Sequence, residues 1–316
     1  MPTISTPPET GDTGATTPTA DTGVEERVID CDRIPVQIVS QQEIVGPKGY
    51  HDLAFTDDGY VIGQGAFGDL MRADAYGGIG PFVPNVGETQ QMTWLPNGDL
   101  AVASLQGILR VTPAGAKTVI NPDVRPYGLI TGPDGKLYAA DQDKVLRVDP
   151  ATGGQEVLLR SGALPFGAPR VLQFDLTYTH MYIGTISGRQ GRIYVVEVGP
   201  DLTPIGQPTV FATGVGSGGY HDAIGIDICG YLYIPEYDTA ALYRVSPSGQ
   251  VQNLLQSGLL HRDYAHGLEW GLGVGGFRQD AIYVTQPYDG YRVLELVIGV
   301  PSRDWGGTAI NVPPGL

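Results

Sequence analysis

Short apolar runs separated by turn residues recur along the whole chain and predict β-strands. The runs are bounded by Pro, Asp, Asn and Gly, and no long segment shows the 3.6-residue period of a helix. The clearest unit begins at Arg125 and reads RPYGLITGPDGKLYAADQDKVLRVDPATGGQEVLLRSG. An apolar run, a Pro-Asp-Gly turn, two further apolar runs and a last short run predict four antiparallel strands per unit.

Six copies of this unit follow one another, and their strands align. The second strands read YVIGQG from Tyr60, DLAVAS from Asp99, KLYAAD from Lys136, HMYIGT from His180, YLYIPE from Tyr231 and AIYVTQ from Ala281. The third strands recur just as regularly. Four strands per copy are typical of a propeller blade, so the sequence predicts an all-β, six-bladed β-propeller.

Only five fourth strands follow a third strand, and the sixth is predicted at the other end of the chain. VQIVSQQ, from Val36, has the fourth-strand pattern and directly precedes the first inner strand. As the outer strand of the last blade it would join the chain ends and leave no open edge between blades. The propeller is therefore predicted to span 24–305, with 306–316 as a C-terminal tail.

The N-terminal segment 1–23 differs in composition from the rest of the chain. It is rich in Thr, Pro and Gly and has no aromatic residue, which predicts a disordered tether. Because such a spacer suits a surface or periplasmic anchor, we expect a periplasmic or extracellular protein whose export signal is absent from this chain. A cytoplasmic location is the alternative. No apolar stretch approaches the roughly 20 residues of a membrane span.

The two cysteines bear on the same question. Cys31 lies just before the closing strand, and Cys229 lies in the first hairpin turn of the fifth blade, which neighbours the sixth. A disulfide between them would tie the N-terminal strand to the ring and would indicate an oxidising compartment. Two buried thiols are the alternative.

Composition and charge narrow the range of partners. The 46 Gly, 25 Pro and 17 Tyr agree with an all-β chain of strands and turns. A formal net charge of −15 argues against nucleic acid or an anionic membrane as a partner. We expect a monomer that binds a small-molecule substrate at the mouth of the central channel.

Three of the five histidines fall at one structural position. His51, His221 and His266 lie in the lead-in segments, which precede the inner strands, of blades one, five and six. Three imidazoles at a narrow channel suit zinc, and Asp52 and Asp222 could orient the rings or act as oxygen ligands for calcium. A metal-free polar site and a purely structural Tyr-His-Asp motif are the alternatives.

Two arginines occupy the other side of the predicted channel mouth. Arg125 and Arg170 lie in the third and fourth lead-in segments, and with Tyr127 they could hold an anionic or strongly polarised substrate. Their alternative role is a salt bridge across the channel. The carboxylates available for it are Asp52, Glu88 and Asp222.

The loops after the second strands share this rim and supply acid/base candidates. Glu236 and Tyr288 adjoin the histidine blades and are the predicted acid/base groups. His180 and His261 are predicted to lie away from the site, the first in a turn on the opposite face and the second in an exposed connection.

PYGLITGPDGKLYAAD, from Pro126, resembles the blade signature of NHL-type repeats. Over roughly 34–300 the ring resembles the six-bladed calcium-dependent lactonases of the gluconolactonase and regucalcin type, which implies the fold. The Glu-Gly-Pro motif that carries a calcium-binding carboxylate in those lactonases is replaced here by Tyr50, His51 and Asp52.

The predicted site resembles that of peptidyl-hydroxyglycine amidating lyase, a six-bladed propeller with a zinc held by three histidines. The resemblance implies that His266, within AHGL, forms a zinc set with His51 and His221, and that Arg125 or Arg170 takes the catalytic arginine role. We therefore predict a metal-dependent hydrolase or lyase that acts on a small anionic or carbonyl-containing substrate. A non-enzymatic propeller that binds a small ligand or a protein is the alternative.

Overall fold

The protein is a ring of six four-stranded antiparallel sheets. The computed structural model describes residues 28–47, 52–160, 168–185, 191–216, 220–237, 241–255, 266–285 and 292–315. The predicted tether, 1–23, lies outside these ranges. Within them the only helical segments are two three-residue 3-10 turns, Cys31–Arg33 and Ala66–Gly68, and neither is long and apolar enough to cross a membrane.

The strands, numbered in chain order, confirm the predicted all-β, six-bladed propeller. Before the ring come β1 (Val28–Asp30) and β2 (Ser40–Val45). Blade 1 contains β3 (Leu53–Phe55), β4 (Val61–Gln64), β5 (Leu70–Ala73) and β6 (Ile79–Val83), and blade 2 contains β7 (Thr89–Trp94), β8 (Leu100–Ser104), β9 (Gly107–Val111) and β10 (Lys117–Asn121). Blade 3 contains β11 (Gly128–Thr131), β12 (Leu137–Asp141), β13 (Lys144–Val148) and β14 (Gln155–Arg160), and blade 4 contains β15 (Pro169–Phe174), β16 (His180–Thr185), β17 (Arg192–Val198) and β18 (Pro204–Thr213). Blade 5 contains β19 (Gly225–Ile226), β20 (Leu232–Glu236), β21 (Ala241–Val245) and β22 (Val251–Leu255), and blade 6 contains β23 (Leu268–Trp270), β24 (Ala281–Thr285), β25 (Arg292–Val297) and β2.

Neighbouring blades pack against each other through buried aromatic side chains. The second strands of blades 3 to 6 carry a buried tyrosine at one equivalent position: Tyr138, Tyr182, Tyr233 and Tyr283. Three of these rings meet an aromatic ring on the inner strand of the next blade: Tyr138 with Phe174 at 5.0 Å, Tyr233 with Trp270 at 5.5 Å and Tyr283 with Phe55 at 4.9 Å between centroids. Each such pair contributes about 0.5–1.5 kcal/mol beyond the area that it buries.

Closure of the ring by an N-terminal strand is confirmed, with a shift in where the strand begins. Strand β2 pairs antiparallel with β25 from Ser40 opposite Val297 to Val45 opposite Arg292. The sequence pattern placed its start at Val36. The chain before Ser40 instead crosses the outer strands of blade 5, where Arg244 donates a hydrogen bond to the Pro35 carbonyl at 2.7 Å. Val36 therefore lies outside the ladder and is exposed.

A disulfide joins Cys31 to Cys229, as the chain order suggested. The two Cα atoms are 5.6 Å apart although the residues are separated by 198 positions in the sequence. Cys31 begins the 3-10 turn that precedes β2, and Cys229 lies in the turn between β19 and β20. Both side chains are buried. The bond therefore fastens the segment that leads into the closing strand to the neighbouring blade.

The C-terminal segment after β25 crosses the face of the ring that carries the turns after the inner strands. Asp227 forms an isolated bridge with Ser302, and Arg303 donates a hydrogen bond to the Phe174 carbonyl at 2.9 Å. Strand β26 (Thr308–Ile310) then pairs in parallel with β1. The segment predicted as a tail, 306–316, thus contributes a strand, and this crossing covers one end of the central channel.

We expect the closing strand to decide whether the ring folds. Deleting 1–27 should leave the melting temperature unchanged within about 2 °C, because that segment has little apolar surface to bury. Deleting 1–45 removes β2 and exposes the edge of β25, and it also removes β1 and Cys31. It should cause aggregation beyond any seen when both cysteines are replaced with serine, measured by thermal unfolding and light scattering. Equal behaviour of the two truncations would contradict this role of β2.

The Cys31–Cys229 bond should contribute strongly to stability because the loop that it closes is very long. The chain-entropy model gives about 5 kcal/mol for such a loop, as an upper value, because residual structure in the unfolded chain lowers it. Replacing both cysteines with serine should lower the free energy of unfolding by up to that amount in urea titrations. Native protein kept free of reductant should show no reactive thiol, and two titrating thiols would rule the bond out.

Candidate functional site

Three buried side chains from three consecutive blades form a chain of charged contacts at the channel mouth. Arg170 of blade 4 donates through Nε to Asp222 Oδ1 of blade 5. The second oxygen of Asp222, Oδ2, lies 3.0 Å from Nδ1 of His266, which leads into blade 6. These residues are 9%, 4% and 2% exposed, so the contacts are screened little by solvent. We call them the Arg170–Asp222–His266 chain.

Irregular backbone directs these side chains across the blade boundaries. Arg170 lies where the register of β15 shifts between Pro169 and Val171, and such bulges re-aim side chains. In blade 5 the ladder is reduced to Gly225 and Ile226, so Asp222 lies outside it and its carboxylate reaches both neighbouring blades. Gly225 is required here, because a Cβ atom would lie 2.4 Å from the Trp270 ring.

Tyrosine rings surround the charged chain. The Arg170 guanidinium lies over the Tyr127 ring, 4.3 Å from its centroid, and 5.9 Å from that of Tyr220. Tyr237 meets the His266 ring edge-on at 4.8 Å, and its backbone N–H donates to the Tyr220 carbonyl. Cation–π contact and ring packing thus hold both ends of the chain in place. Tyr127 and Arg170 are brought together as predicted, whereas Tyr220 and Tyr237 were not singled out from the sequence.

The contact with Asp222 determines how His266 can act. Nδ1 of the ring faces the carboxylate at 3.0 Å, so Nε2 points away from Asp222. The other carboxylate oxygen accepts a charge-assisted hydrogen bond from Arg170. A buried histidine beside a carboxylate that is itself paired with an arginine is a candidate for proton transfer.

His221 occupies a different environment from the one predicted. Its Nε2 lies 2.9 Å from the Val215 carbonyl, to which it donates, and a Cβ on Gly184 would lie 3.3 Å from Nδ1. Burial lowers the pKa of His221 below its ordinary value, which favours the neutral ring. Nε2 is therefore engaged with the backbone, whereas Nδ1 has no hydrogen-bond partner among the described residues.

The predicted zinc set is not assembled within the described part of the chain. No group of three or more His, Cys, Asp or Glu side chains there could hold a metal ion. Both oxygens of Asp222 contact protein side chains, Arg170 and His266. His51, the third predicted ligand, lies outside the described residues, as do Tyr288 and His261.

Arg125, predicted as a substrate-binding arginine, and Glu236, predicted as an acid/base group, make contacts apart from the Arg170–Asp222–His266 chain. Arg125 is exposed, and its backbone N–H donates to the buried carboxylate of Asp141. Glu236 is fully buried at the end of β20, where it bridges His221 through the backbone. A Cβ on Gly216 would lie 2.3 Å from Glu236 Cγ, so the glutamate is packed tightly against that loop. His180 lies outside the site, as predicted, with Nδ1 3.4 Å from Asp175.

Asp52 lies in the central channel rather than beside Asp222. Its Oδ2 accepts a hydrogen bond from the Met92 amide of blade 2 at 3.0 Å, and Oδ1 has no hydrogen-bond partner among the described residues. Burial, and then the nearby charge of Glu269, raise the pKa of Asp52 well above its ordinary value. The channel cavity, of about 430 Å³, is lined by both carboxylates and by Asp304 of the C-terminal crossing.

Glu269 is a channel residue that the sequence analysis did not single out. Burial, and then the charge of Asp304, raise the pKa of Glu269 to about 7, although its backbone neighbour Trp270 donates a hydrogen bond to it at 2.8 Å. A charged residue inside the short inner strand LEW is the signal that could have revealed it, because inner strands face the channel.

We expect Glu269 to make stability depend on pH. The pKa of Glu269 in the folded protein lies above its ordinary 4.5, so the folded protein binds this proton more tightly than the unfolded chain does. The resulting contribution to the free energy of unfolding is fully present below about pH 4.5. As the pH rises through about 7 the wild type should lose about 1–3 kcal/mol of unfolding free energy relative to Glu269→Gln. Urea titrations between pH 4.5 and 8 measure this. The exposed Glu197→Gln is the control, and equal slopes for all three proteins would contradict the assignment.

Comparisons with known proteins establish the fold and leave the sequence family open. No protein-family model matches the chain, and no curated protein matches its sequence. A gluconolactonase from Xanthomonas campestris has 14% identity over 84% of this chain and 91% of that chain, with a TM-score of 0.66. A calcium-binding regucalcin from Agrobacterium tumefaciens has 15% identity over 90% and 99%, with a TM-score of 0.63. A catalytically inactive histidine-to-alanine form of virginiamycin B lyase from Staphylococcus aureus, bound to quinupristin, has 16% identity over 82% and 99%, with a TM-score of 0.54. The predicted resemblance to gluconolactonase and regucalcin propellers is thus confirmed as a likeness of fold.

Proposed function

We propose that this protein is a propeller enzyme, a hydrolase or lyase, that acts on a small anionic or carbonyl-containing substrate at the channel mouth. The observation that carries the proposal is the Arg170–Asp222–His266 chain. A histidine whose Nδ1 lies 3.0 Å from a buried carboxylate, itself paired with an arginine, is placed as groups that transfer protons are.

In this proposal His266 is the general base and later the general acid. Its Nε2 takes a proton from a water molecule in hydrolysis, or from a carbon beside a carbonyl group in elimination. The imidazolium that forms carries its charge next to Asp222, which stabilises it and keeps the ring in one tautomer. The proton is then returned to the leaving group.

Arg170 and the surrounding tyrosines provide the substrate contacts. Arg170 uses Nε to hold Asp222, and the rest of its guanidinium can donate hydrogen bonds to a carboxylate or a developing oxyanion. Tyr127 and Tyr220 flank the guanidinium, and Tyr220 is 38% exposed, so its ring is accessible to a ligand. The proposal places the substrate between Arg170 and His266, which Asp222 links.

The structural neighbours support both reaction classes. One is a gluconolactonase and another is a lyase whose histidine-to-alanine form is catalytically inactive, so this fold accommodates hydrolysis and elimination and, in the lyase, requires a histidine. Regucalcin is described as calcium-binding. The described residues do not bring the predicted zinc ligands together, and His51 lies outside them. The proposed chemistry uses the side chains alone. The Cys31–Cys229 disulfide supports the proposal that the protein works in an oxidising compartment, either the periplasm or the extracellular space.

The proposal is tested with substrates that separate hydrolysis from elimination. Purified protein is assayed with glucono-δ-lactone and other small lactones for hydrolysis and with quinupristin for elimination. Turnover of one of these is expected, and His266→Ala should lower kcat/KM by about 10³-fold or more, as for other residues that transfer protons. Asp222→Asn should lower kcat by about 10²–10⁴-fold, because the tautomer of His266 is no longer fixed.

The control for these variants is His180→Ala. His180 also lies near a carboxylate, Asp175, but in blade 4 on the opposite face, so its loss should leave turnover unchanged. Turnover that His266→Ala leaves intact would refute the role of His266. Absence of turnover, with ligand binding weakened chiefly by Tyr127→Ala and Tyr220→Ala, would favour the non-enzymatic binding propeller instead.

A further inference from the structure

A second cavity, of about 520 Å³, lies between blades 1 and 2 on the face opposite the proposed site. It is lined by the turns after the inner strands of both blades and by the turn between β9 and β10. Its lining is largely apolar and includes the rings of Phe55, Phe82 and Trp94. The carboxylates of Asp57 and Asp58 line it as well, and both are exposed. A cavity of this size with a few polar groups suits a small ligand.

The repeat explains why space remains at this boundary. In blades 3, 5 and 6 the tyrosine of the second strand packs against the inner-strand aromatic ring of the next blade. Blade 2 offers such a ring in Trp94, but the equivalent residue of blade 1 is Ile62. The side chain of Ile62 is shorter than tyrosine and has no ring, and both Ile62 and Trp94 line the cavity. The missing ring and the cavity therefore coincide.

In blades 3, 5 and 6 the hydroxyl of the second-strand tyrosine has a carboxylate as its hydrogen-bond partner. Each of the three hydroxyls donates to a carboxylate: Tyr138 to Asp134 at 3.1 Å, Tyr233 to Asp227 at 3.0 Å and Tyr283 to Glu295 at 2.5 Å. Asp134 and Asp227 lie in the first turn of their blade. Blade 1 has Asp57 and Asp58 in that turn and no tyrosine at the second-strand position. Asp58 accepts a hydrogen bond from Thr56 at 2.6 Å and pairs with Arg72.

The walls of the cavity are held in place without a ligand. Trp94 donates through its indole N–H to the Phe55 carbonyl at 3.0 Å, which fixes the ring. Arg72 pairs with Asp58 and lies 3.7 Å from the centroid of the Tyr60 ring. A preformed cavity binds a ligand at a lower ordering cost than one that must open.

We propose that this cavity binds a small phenol. The aromatic ring takes the place that tyrosine fills in blades 3, 5 and 6, between Ile62 and Trp94, and the hydroxyl donates to the carboxylate of Asp57 or Asp58. The proposal is independent of the proposed enzymatic function, since the cavity shares no residue with the Arg170–Asp222–His266 chain.

Binding of p-cresol to the full-length protein, measured by isothermal titration calorimetry, tests the proposal. One equivalent should bind, and toluene, which has the ring but no hydroxyl, should bind about tenfold more weakly because it cannot donate a hydrogen bond to the carboxylate. Ile62→Tyr fills the space from within and should weaken p-cresol binding by at least about tenfold. Ile62→Val, which keeps the cavity, is the matched control, and His266→Ala should bind p-cresol like the wild type.

Crystals soaked with p-bromophenol give a test that needs no substitution. The anomalous signal of bromine should appear between blades 1 and 2, beside Trp94. Bromine only elsewhere, no binding of p-cresol up to its solubility limit, or equal affinity of Ile62→Tyr and wild type would each overturn the proposal.

Discussion

Contact between successive blades at the start of the inner strand is the constraint on which this structure depends. In each of the first five blades, the side chain just before or at the beginning of that strand reaches the next blade. Asp52 and Gln91 accept hydrogen bonds from backbone amides, Met92 and Leu129. Tyr127 stacks on Arg170, Arg170 pairs with Asp222, and Asp222 contacts His266. A propeller has no shared sheet, so contacts of this kind and the buried aromatic pairs hold neighbouring blades in register.

The residue at the start of the inner strand differs in chemistry from blade to blade. This difference distinguishes the blades that only support the ring from those that form the candidate site. In blades 1 and 2 this side chain accepts a hydrogen bond from a backbone amide of the next blade, which fixes the two blades together. In blades 4, 5 and 6 the same position holds an arginine, an aspartate and a histidine, all buried. Buried charges are costly unless each is paired, and removing one partner from such a pair typically costs about 3–5 kcal/mol. A chain that keeps this arrangement accepts a liability for stability, which is why a functional reading of the site is favoured over a structural one.

Closure of the ring by β2 and the disulfide holds blades 5 and 6, which supply Asp222 and His266, in place. Strand β2 completes blade 6, and the Cys31–Cys229 bond anchors the segment before it to blade 5. The two blades joined in this way are those that supply Asp222 and His266. The C-terminal crossing, through Ser302 and Arg303, ties blade 5 and blade 4 to the end of the chain. Both chain ends therefore stabilise the sector of the ring that contains the charged chain.

The fold follows from the sequence alone, because each blade repeats a local pattern of strands and turns and a strand's period of two fixes which side chains face the core. The sequence also placed Cys31 near Cys229 and put Arg170, Asp222 and His266 on one rim. It offered a salt bridge with Asp52, Glu88 or Asp222 only as an alternative role for Arg125 and Arg170. It could not single out Arg170 with Asp222, because the two lie 52 positions apart and meet through a bulge and a break in the ladder. Nor could it show that the His221 ring turns to Val215 or that Glu269 faces Asp52 in the channel. Those directions depend on the packing of one blade against another, which only the tertiary structure decides.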